Sequence, residues 1–320
     1  TSIWIPKTTD TNANAAIKPK GNGANVAQDP DGTTIGGNAR GQYATDWQKS
    51  RSSNNEVASG DYSTIGGGQN NSATGSQSTV GGGIANDATG LRSFIGGGLN
   101  NRASGSRATV SGGDDNAASG DRATVGGGRG NRASGDYSAV GAGQDNTAST
   151  GTHATVSGGL TNTASGGAST VGGGDANTAS GGRSTVGGGE GNTASGNRAT
   201  IGGGKDNTSS GTRATVSGGD NNTASNFYPA VGGGKNNTAS GQYSTVSGGF
   251  RAIASRYGQF GQASGRFISD GDAQFSRYVL RTATTDATAN VELFLDGTGG
   301  SNRITIPEGT AYQFHIYITS

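Results

Sequence analysis

From residue 64 to residue 250 the chain repeats one phrase every 15 residues: a small residue, Thr, Val or Ile, two or three glycines, two variable residues, Asn, a variable residue, Ala, Ser, Gly. Ser-Thr-Ile-Gly-Gly-Gly at Ser63–Gly68 returns as Ser-Thr-Val-Gly-Gly-Gly at Ser78–Gly83 and as Ala-Thr-Val-Ser-Gly-Gly at Ala108–Gly113. The Val/Ile column runs Ile65, Val80, Ile95, Val110, Val125, Val140, Val156, Val171, Val186, Ile201, Val216, Val231, Val246. One step deviates, where an extra residue near Thr150 stretches Val140 to Val156 to 16. A unit this short cannot bury a core alone. Its copies must stack, and stacking makes a rod.

Composition would point elsewhere if the period were ignored. With 64 glycines in 320 residues, 29% apolar residues and 6% aromatic, an aperiodic chain would be disordered. Disorder gives no reason to keep Val and Asn in columns, so the register decides for order. Lys plus Arg number 23 against 22 Asp plus Glu, leaving no broad basic field for nucleic acid or anionic lipid. There is no cysteine, hence no disulfide and no thiolate metal site. No apolar run reaches the roughly 18–20 residues that cross a bilayer as a helix, so membrane insertion is not expected. Thr1-Ser2-Ile3-Trp4 does not read as a secretory signal. With no methionine, the chain is expected to be a processed product or a piece of a longer one.

One repeat, Arg107 to Asp121, predicts one coil. Ala108-Thr109-Val110-Ser111 alternates, placing Ala108 and Val110 on one face and Thr109 and Ser111 on the other. Gly112 and Gly113 permit a corner, Asn116-Ala117-Ala118-Ser119 makes a second short strand, and Gly120 turns the chain again. Two strands of about four residues and two glycine corners therefore close each coil, and coils pair in parallel about 4.8 Å apart. Thirteen rungs span roughly 60 Å. The inward columns are Val/Ile, the Ala or Ser two residues earlier, and the Ala that follows Asn. This core is thin. A buried Val or Ile contributes about 1.5–3 kcal/mol, against about 1–2 kcal/mol of backbone entropy per ordered residue, so several chains side by side are expected.

Two further columns stand out. Asn71, Asn86, Asn101, Asn116, Asn131, Asn146, Asn162, Asn177, Asn192, Asn207, Asn222 and Asn237 form an unbroken series. Identical amides in line predict a structural ladder bonding rung to rung, because a ligand site needs unlike groups converging. Three residues before each Val or Ile comes Tyr62, Gln77, Arg92, Arg107, Arg122, Tyr137, His153, Ala168, Arg183, Arg198, Arg213, Tyr228, Tyr243. Arg and Tyr favour interfaces, so this column is open to three readings: subunit contact, a solvated edge covering glycine backbone, or a ligand surface.

The ends differ from the body. Residues 1–60 keep traces of the repeat at Val57-Ala58-Ser59-Gly60, with Pro6, Pro19 and Pro30 marking extended chain, and read as an adaptor that starts and caps the coil. Residues 61–250 are the repeat body. Residues 251–320 gather aromatics and read as a small β domain, with strands at 278–280, 291–295, 303–306 and 312–318. The last stops so near Ser320 that more of this domain is expected beyond it.

Catalytic patterns are weak. His153 and His315 lie in different modules, which disfavours a Ser-His-Asp triad. Gly202-Gly203-Gly204-Lys205 is a repeat corner and not a phosphate loop, because Asp206 follows the lysine. The acidic residues near 112–116 do not recur in register, as stacked calcium sites would require. Asp114, Asp175 and Glu190 are candidates for a glycosidase pair, yet nothing singles out two of them. No metal or cofactor is expected.

The coils resemble the head repeats of trimeric autotransporter adhesins, which are left-handed parallel β-rolls bundled in threes; those repeats are typically shorter by one residue. A closer resemblance is to phage tail-fibre proteins that end in a self-cleaving intramolecular chaperone. It rests on Pro-Lys-Gly-Asn-Gly-Ala at 19–24, Gly-Gly-Asn-Ala-Arg-Gly at 36–41, Asp-Trp-Gln-Lys-Ser-Arg-Ser at 46–52, the segment 57–68, and Ser-Arg-Tyr-Val-Leu-Arg and Glu-Leu-Phe-Leu-Asp-Gly within 276–297. The resemblance implies an extracellular homotrimeric fibre on a virion, joined to other tail proteins and contacting a host surface glycan or protein receptor. The cleaving segment itself is not in this sequence. The expected fold is thus an all-β parallel β-roll, trimeric, with a small C-terminal β domain. Competing readings are a bacterial adhesin head, a polysaccharide-depolymerising tailspike, and an ice-binding roll presenting its Thr column. Recognition without turnover is expected where the columns break: Leu91, Arg92 and Phe94, His153 beside the insertion, Phe227 and Tyr228, and Phe250 and Tyr257 at the aromatic end.

Overall fold

A computed structural model describes residues 25–26, 31–34, 37–48, 50–280 and 295. Every regular element among them is a strand. The strands form a 17-stranded sheet and a 13-stranded sheet, wound as a parallel β-solenoid. Thr109–Val110 of the first sheet pairs in parallel with Phe94–Ile95 on one side and Thr124–Val125 on the other. In the second sheet Ala117–Ala118 lies between Arg102–Ala103 and Arg132–Ala133 in the same way. The 15-residue sequence offset is the spatial register.

The interior is what alternation predicts. Val110, Ala108, Ala118 and Asn116 are all buried, and so are their equivalents up and down the rod. Apart from Gln48, the largest fully buried side chains are isoleucines and valines, so the interior is narrow. Small side chains let the two sheets approach closely, and a larger residue has nowhere to go.

Two expectations about the coil need correction. The strands have two residues in most coils, not about four. Backbone pairing is made up by a third contact, a series of single parallel bridges through Ser50, Gln69, Ile84, Leu99, Asp114 and onward to Phe250. Each coil therefore touches its neighbour along three lines, and the chain must bend more often than two corners allow. The second correction concerns Gly120. It does not supply the left-handed bend; Arg122 does, at φ 54°. Gly120 is needed for close approach, since a Cβ there would sit 2.2 Å from the carbonyl oxygen of Gly135 on the next rung.

The extra residue is absorbed locally. Ala133 and Ala148 remain 15 apart, Ala148 pairs with Ala164, and Thr150 takes φ 41°. Both sheets regain register at once, because the bulge lies in a corner and not in a strand.

Stacking runs past the repeat body at both ends. Thr45–Asp46 pairs with Thr64–Ile65, and Asn25–Val26 with Thr45–Asp46. Asp46 thus stands where the interior column has Ile or Val. It is buried with Arg40 and Arg51 at 2.9 and 3.0 Å, an ionic plug in place of an apolar rung. Burial pushes the Arg40 guanidinium below its ordinary pKa, and Asp46 opposes that shift. At the other end Ile253–Ala254 extends the second sheet, while Thr245–Phe250 pairs with Phe260–Ser264, which turns back antiparallel to Gln274–Arg277. Residues 278–280 are not a strand. The strands expected at 291–295, 303–306 and 312–318 lie outside the described residues, save Leu295.

Candidate functional site

The asparagine column is the structural ladder expected. Asn131 Oδ1 accepts the backbone N–H of Asn146 at 3.0 Å, and Asn131 Nδ2 donates to the carbonyls of Gly127 and Gly143, both at 2.8 Å. The same set recurs from Asn71 to Asn237. A glutamine outside the repeat closes it at its start, where Gln48 Oε1 accepts the Asn71 N–H at 2.8 Å. A longer side chain reaches the ladder from a segment that is out of phase with it. At the other end Asn237 Oδ1 accepts the Ala252 N–H at 2.9 Å, and Gln274 Oε1 caps the adjoining strand by accepting the Ile253 N–H at 2.8 Å. Every amide is spent inside the rod, so this column offers nothing to a ligand.

The Arg/Tyr column is a different matter. In most coils a tight turn places it: Ala123 N–H donates to Gly120 O at 3.1 Å, and Arg122 occupies the third turn position with positive φ. From Tyr43 and Tyr62 through Arg183, Arg198 and Arg213 to Tyr228 and Tyr243, these residues have φ of 54–63°. This is the region that a type II turn reserves for glycine or asparagine, and it costs another residue roughly 1–2 kcal/mol. The chain has further left-handed columns, one of glycines at Gly68, Gly83, Gly98, Gly113 and onward, and one filled mostly with residues that tolerate the conformation: Asn70, Asn100, Asp115, Gly130, Asp145, Gly191, Asp206, Asn221, Asn236. The Arg/Tyr column therefore bears a conformational cost for the sake of its side chains.

Those side chains lie one rung apart, which brings flat groups into contact. Tyr43 stacks on Tyr62 with centroids 4.9 Å apart. Arg122 lies 4.9 Å above the Tyr137 ring, which in turn stacks on His153 at 4.9 Å. Arg213 lies 5.0 Å from the Tyr228 ring, Tyr228 stacks on Tyr243 at 5.2 Å, and Tyr257 meets Tyr243 edge-on at 5.4 Å. Arg92 Nε donates to Gln77 Oε1 at 2.7 Å.

Six of the eight residues expected to bind fall on this one edge. Arg92, His153 and Tyr228 occupy the left-handed position, with Leu91 and Phe227 immediately before it. Tyr257 precedes Gly258, which takes that position in the last turn at φ 62°. The other two are elsewhere. Phe94 stands in the outward Thr column of the first sheet, paired with Thr79 and Thr109. Phe250 ends the bridge column, with Arg251 4.9 Å from its ring. What sequence reading missed was the left-handed backbone. Its signal was available as the absence of glycine at one turn position through 13 repeats of a glycine-rich chain.

Several charges on the other columns pair between rungs. Lys205 pairs with Glu190 at 2.9 Å and Lys235 with Asp220 at 2.7 Å, both on the bridge column. The hydrogen bond that Lys205 donates to the Glu190 carboxylate pushes its ammonium above its ordinary pKa. Arg102 faces Asp87 at 3.9 Å on the second sheet. The candidate glycosidase carboxylates also belong to the bridge column: Asp175 and Glu190 are neighbours there, and Asp114 lies further along it. Among the described residues no three His, Cys, Asp or Glu side chains gather as metal ligands. The Arg/Tyr edge follows another rule, with like residues in succession. It offers guanidinium and phenol donors in a line.

A comparison with protein-family models finds no match, and neither does one with curated proteins.

Proposed function

We propose that this chain is the rod of a phage tail fibre, a parallel homotrimer on the virion that binds a host surface receptor without turning it over. The observation that carries the reading is the solenoid itself, with an exposed Arg/Tyr edge running along it. A rod of identical coils spans distance, and its repeated surface columns give many equivalent contacts in place of one cleft. Repeats supply identical groups in line, whereas catalysis needs unlike groups converging with displaced pKa values. The thin interior supports assembly, because side-by-side chains bury a further face. The sequence resemblance to tail fibres points the same way.

Two measurements test this. The mass of the intact particle should be that of three chains, and a stable monomer at low concentration refutes the trimer. Purified protein should adsorb to host cells and leave capsule or lipopolysaccharide at its original length. Release of short oligosaccharides, abolished by changing one Asp or Glu, would instead establish a depolymerase.

A further inference from the structure

One stretch of the Arg/Tyr edge sets arginines on successive rungs with no carboxylate at the turn, whereas the run Arg92, Arg107, Arg122 has Asp121 and Asp136 at that position. Arg183, Arg198 and Arg213 occupy successive rungs, followed by Tyr228, Tyr243 and then Tyr257. The strip covers five rung steps, about 24 Å at the usual strand spacing. On the bridge column lysines sit beside carboxylates one rung away. Here three like charges follow one another, and like charges side by side repel. From Gly167 to Gly258 neither central turn position carries a carboxylate. The backbone N–H groups of Arg183, Arg198 and Arg213 donate to the preceding rung, but among the described residues the side chains of Arg183 and Arg198 have no hydrogen bond or ion pair, and the Arg213 side chain lies against the Tyr228 ring. All three arginines also adopt φ 57°, where asparagine or glycine would be easier. Two independent costs, one electrostatic and one conformational, are thus kept at the same three residues.

The chemistry of the strip selects its ligand. Arginine and tyrosine present N–H and O–H donors. Rings stacked along the rod cover each other's faces and leave their edges to solvent, and the edge of an aromatic ring is its positive rim. The strip therefore favours an extended, acceptor-rich anion. Nucleic acid fits poorly: single strands bind by stacking bases on open aromatic faces, and here Tyr228 has Arg213 on one side and Tyr243 on the other. A polymer of acidic sugars matches better, with carboxylates for the guanidinium forks and hydroxyls for the phenols.

We propose that the edge from Arg183 to Tyr257 is a binding strip for an extended acidic polysaccharide. This names the ligand class for the receptor-binding reading above and rests on it.

The test uses polygalacturonate as probe on the intact protein, with dextran as the neutral polymer and polyglutamate and a single-stranded oligonucleotide as other polyanions. Polygalacturonate should bind at low ionic strength and weaken as salt is added, because exposed charges are screened, while dextran should not bind. R183N/R198N/R213N should lose about tenfold or more of that affinity, the order expected for losing charge-assisted bonds. Asparagine tolerates the left-handed corner, so circular dichroism and melting should show the coil intact. If the triple variant does not fold, each single arginine-to-asparagine change should still weaken binding. Removing two exposed arginines from other columns, R129S/R132S, should leave it unchanged.

Undiminished binding in the triple variant, equal binding of polyglutamate or oligonucleotide, or no binding to polygalacturonate overturns the proposal. So does loss of the oligomer in that variant, which would assign the arginines to subunit contact. The two readings separate cleanly. Adsorption to host cells without polygalacturonate binding removes the strip and keeps the fibre; the converse result removes the fibre reading.

Discussion

Asn131→Ala isolates the internal ladder from everything else the coil does. The side chain is fully buried and makes four hydrogen bonds. Its Nδ2 donates to the carbonyls of Gly127 and Gly143. Its Oδ1 accepts the Asn146 N–H and, at 3.1 Å, Asn146 Nδ2, which keeps the Ala142 and Gly159 carbonyls as other partners. Gly143 O keeps a second donor in Arg129 N–H at 2.9 Å. Truncation therefore orphans two buried groups, the Asn146 N–H and the Gly127 carbonyl. Each costs about 1–3 kcal/mol when left unsatisfied, which puts the expected loss near 4 kcal/mol. In a stack where each coil contacts only its neighbours, that loss appears locally. Hydrogen exchange at the Asn146 amide should accelerate by about three orders of magnitude, while amides many rungs away hold their protection. Asn131→Asp sharpens the test, because it keeps an acceptor for Asn146 but removes the donor and sets a carboxylate against two carbonyls. It should not rescue. The reasoning fails if Asn146 protection in Asn131→Ala stays within tenfold of the parent, since the ladder would then not be holding the corners.

Neighbouring glycines should behave oppositely. A Cβ at Gly82 meets nothing within 4 Å, whereas at Gly83, with φ 88°, it would lie 2.2 Å from Gly98 O; Gly82→Ala should melt like the parent, and Gly83→Ala should lose about 3 kcal/mol in denaturant titration. Ser78 is buried with no partner for its hydroxyl, and alanine fills the same place at Ala108 and Ala123, so Ser78→Ala should be neutral or stabilising by about 1 kcal/mol. Ser209 Oγ donates to Ala214 O at 3.0 Å, and Ser209→Ala should be destabilising by a similar amount in the same assay. The Asp272 carboxylate accepts the N–H groups of Ile268 and Ser269 at 2.7 Å and of Phe267 at 2.8 Å, which holds its pKa below the ordinary Asp value. A lowered folded pKa gives stability that is complete above the ordinary value and lost as pH falls through the lowered one. Amide signals of residues 267–269 should therefore hold at mildly acidic pH and change only in stronger acid, and a change centred near neutrality would refute the assignment.

The period of 15 decided most of the fold before any coordinate. When coils stack with a constant offset, a column in the sequence becomes a column in space, so Val110 over Val125 and Asn116 over Asn131 follow from spacing alone. Alternation within Ala108–Ser111 then says which side is inward. The phase of residues around a single coil is another matter, because it depends on which residues take positive φ. Glycine occurs both where the backbone turns left-handed, as at Gly113, and where only space is short, as at Gly120. Composition cannot tell these apart. For that reason the third line of contact through Ile84 and Leu99 was not legible, and neither was the corner at Arg122. The glutamine caps share this origin: Gln48 on the ladder and Gln274 on the last strand of the second sheet lie outside the repeat, and nothing in its spacing points to them. The candidate site divides the same way. Breaks in the columns marked the eight residues, but only the turn geometry placed Leu91, Arg92, His153, Phe227, Tyr228 and Tyr257 on one edge and sent Phe94 and Phe250 to others. Translation along the rod is written in the sequence; rotation around it is set by backbone angles that appear only once the coil has closed.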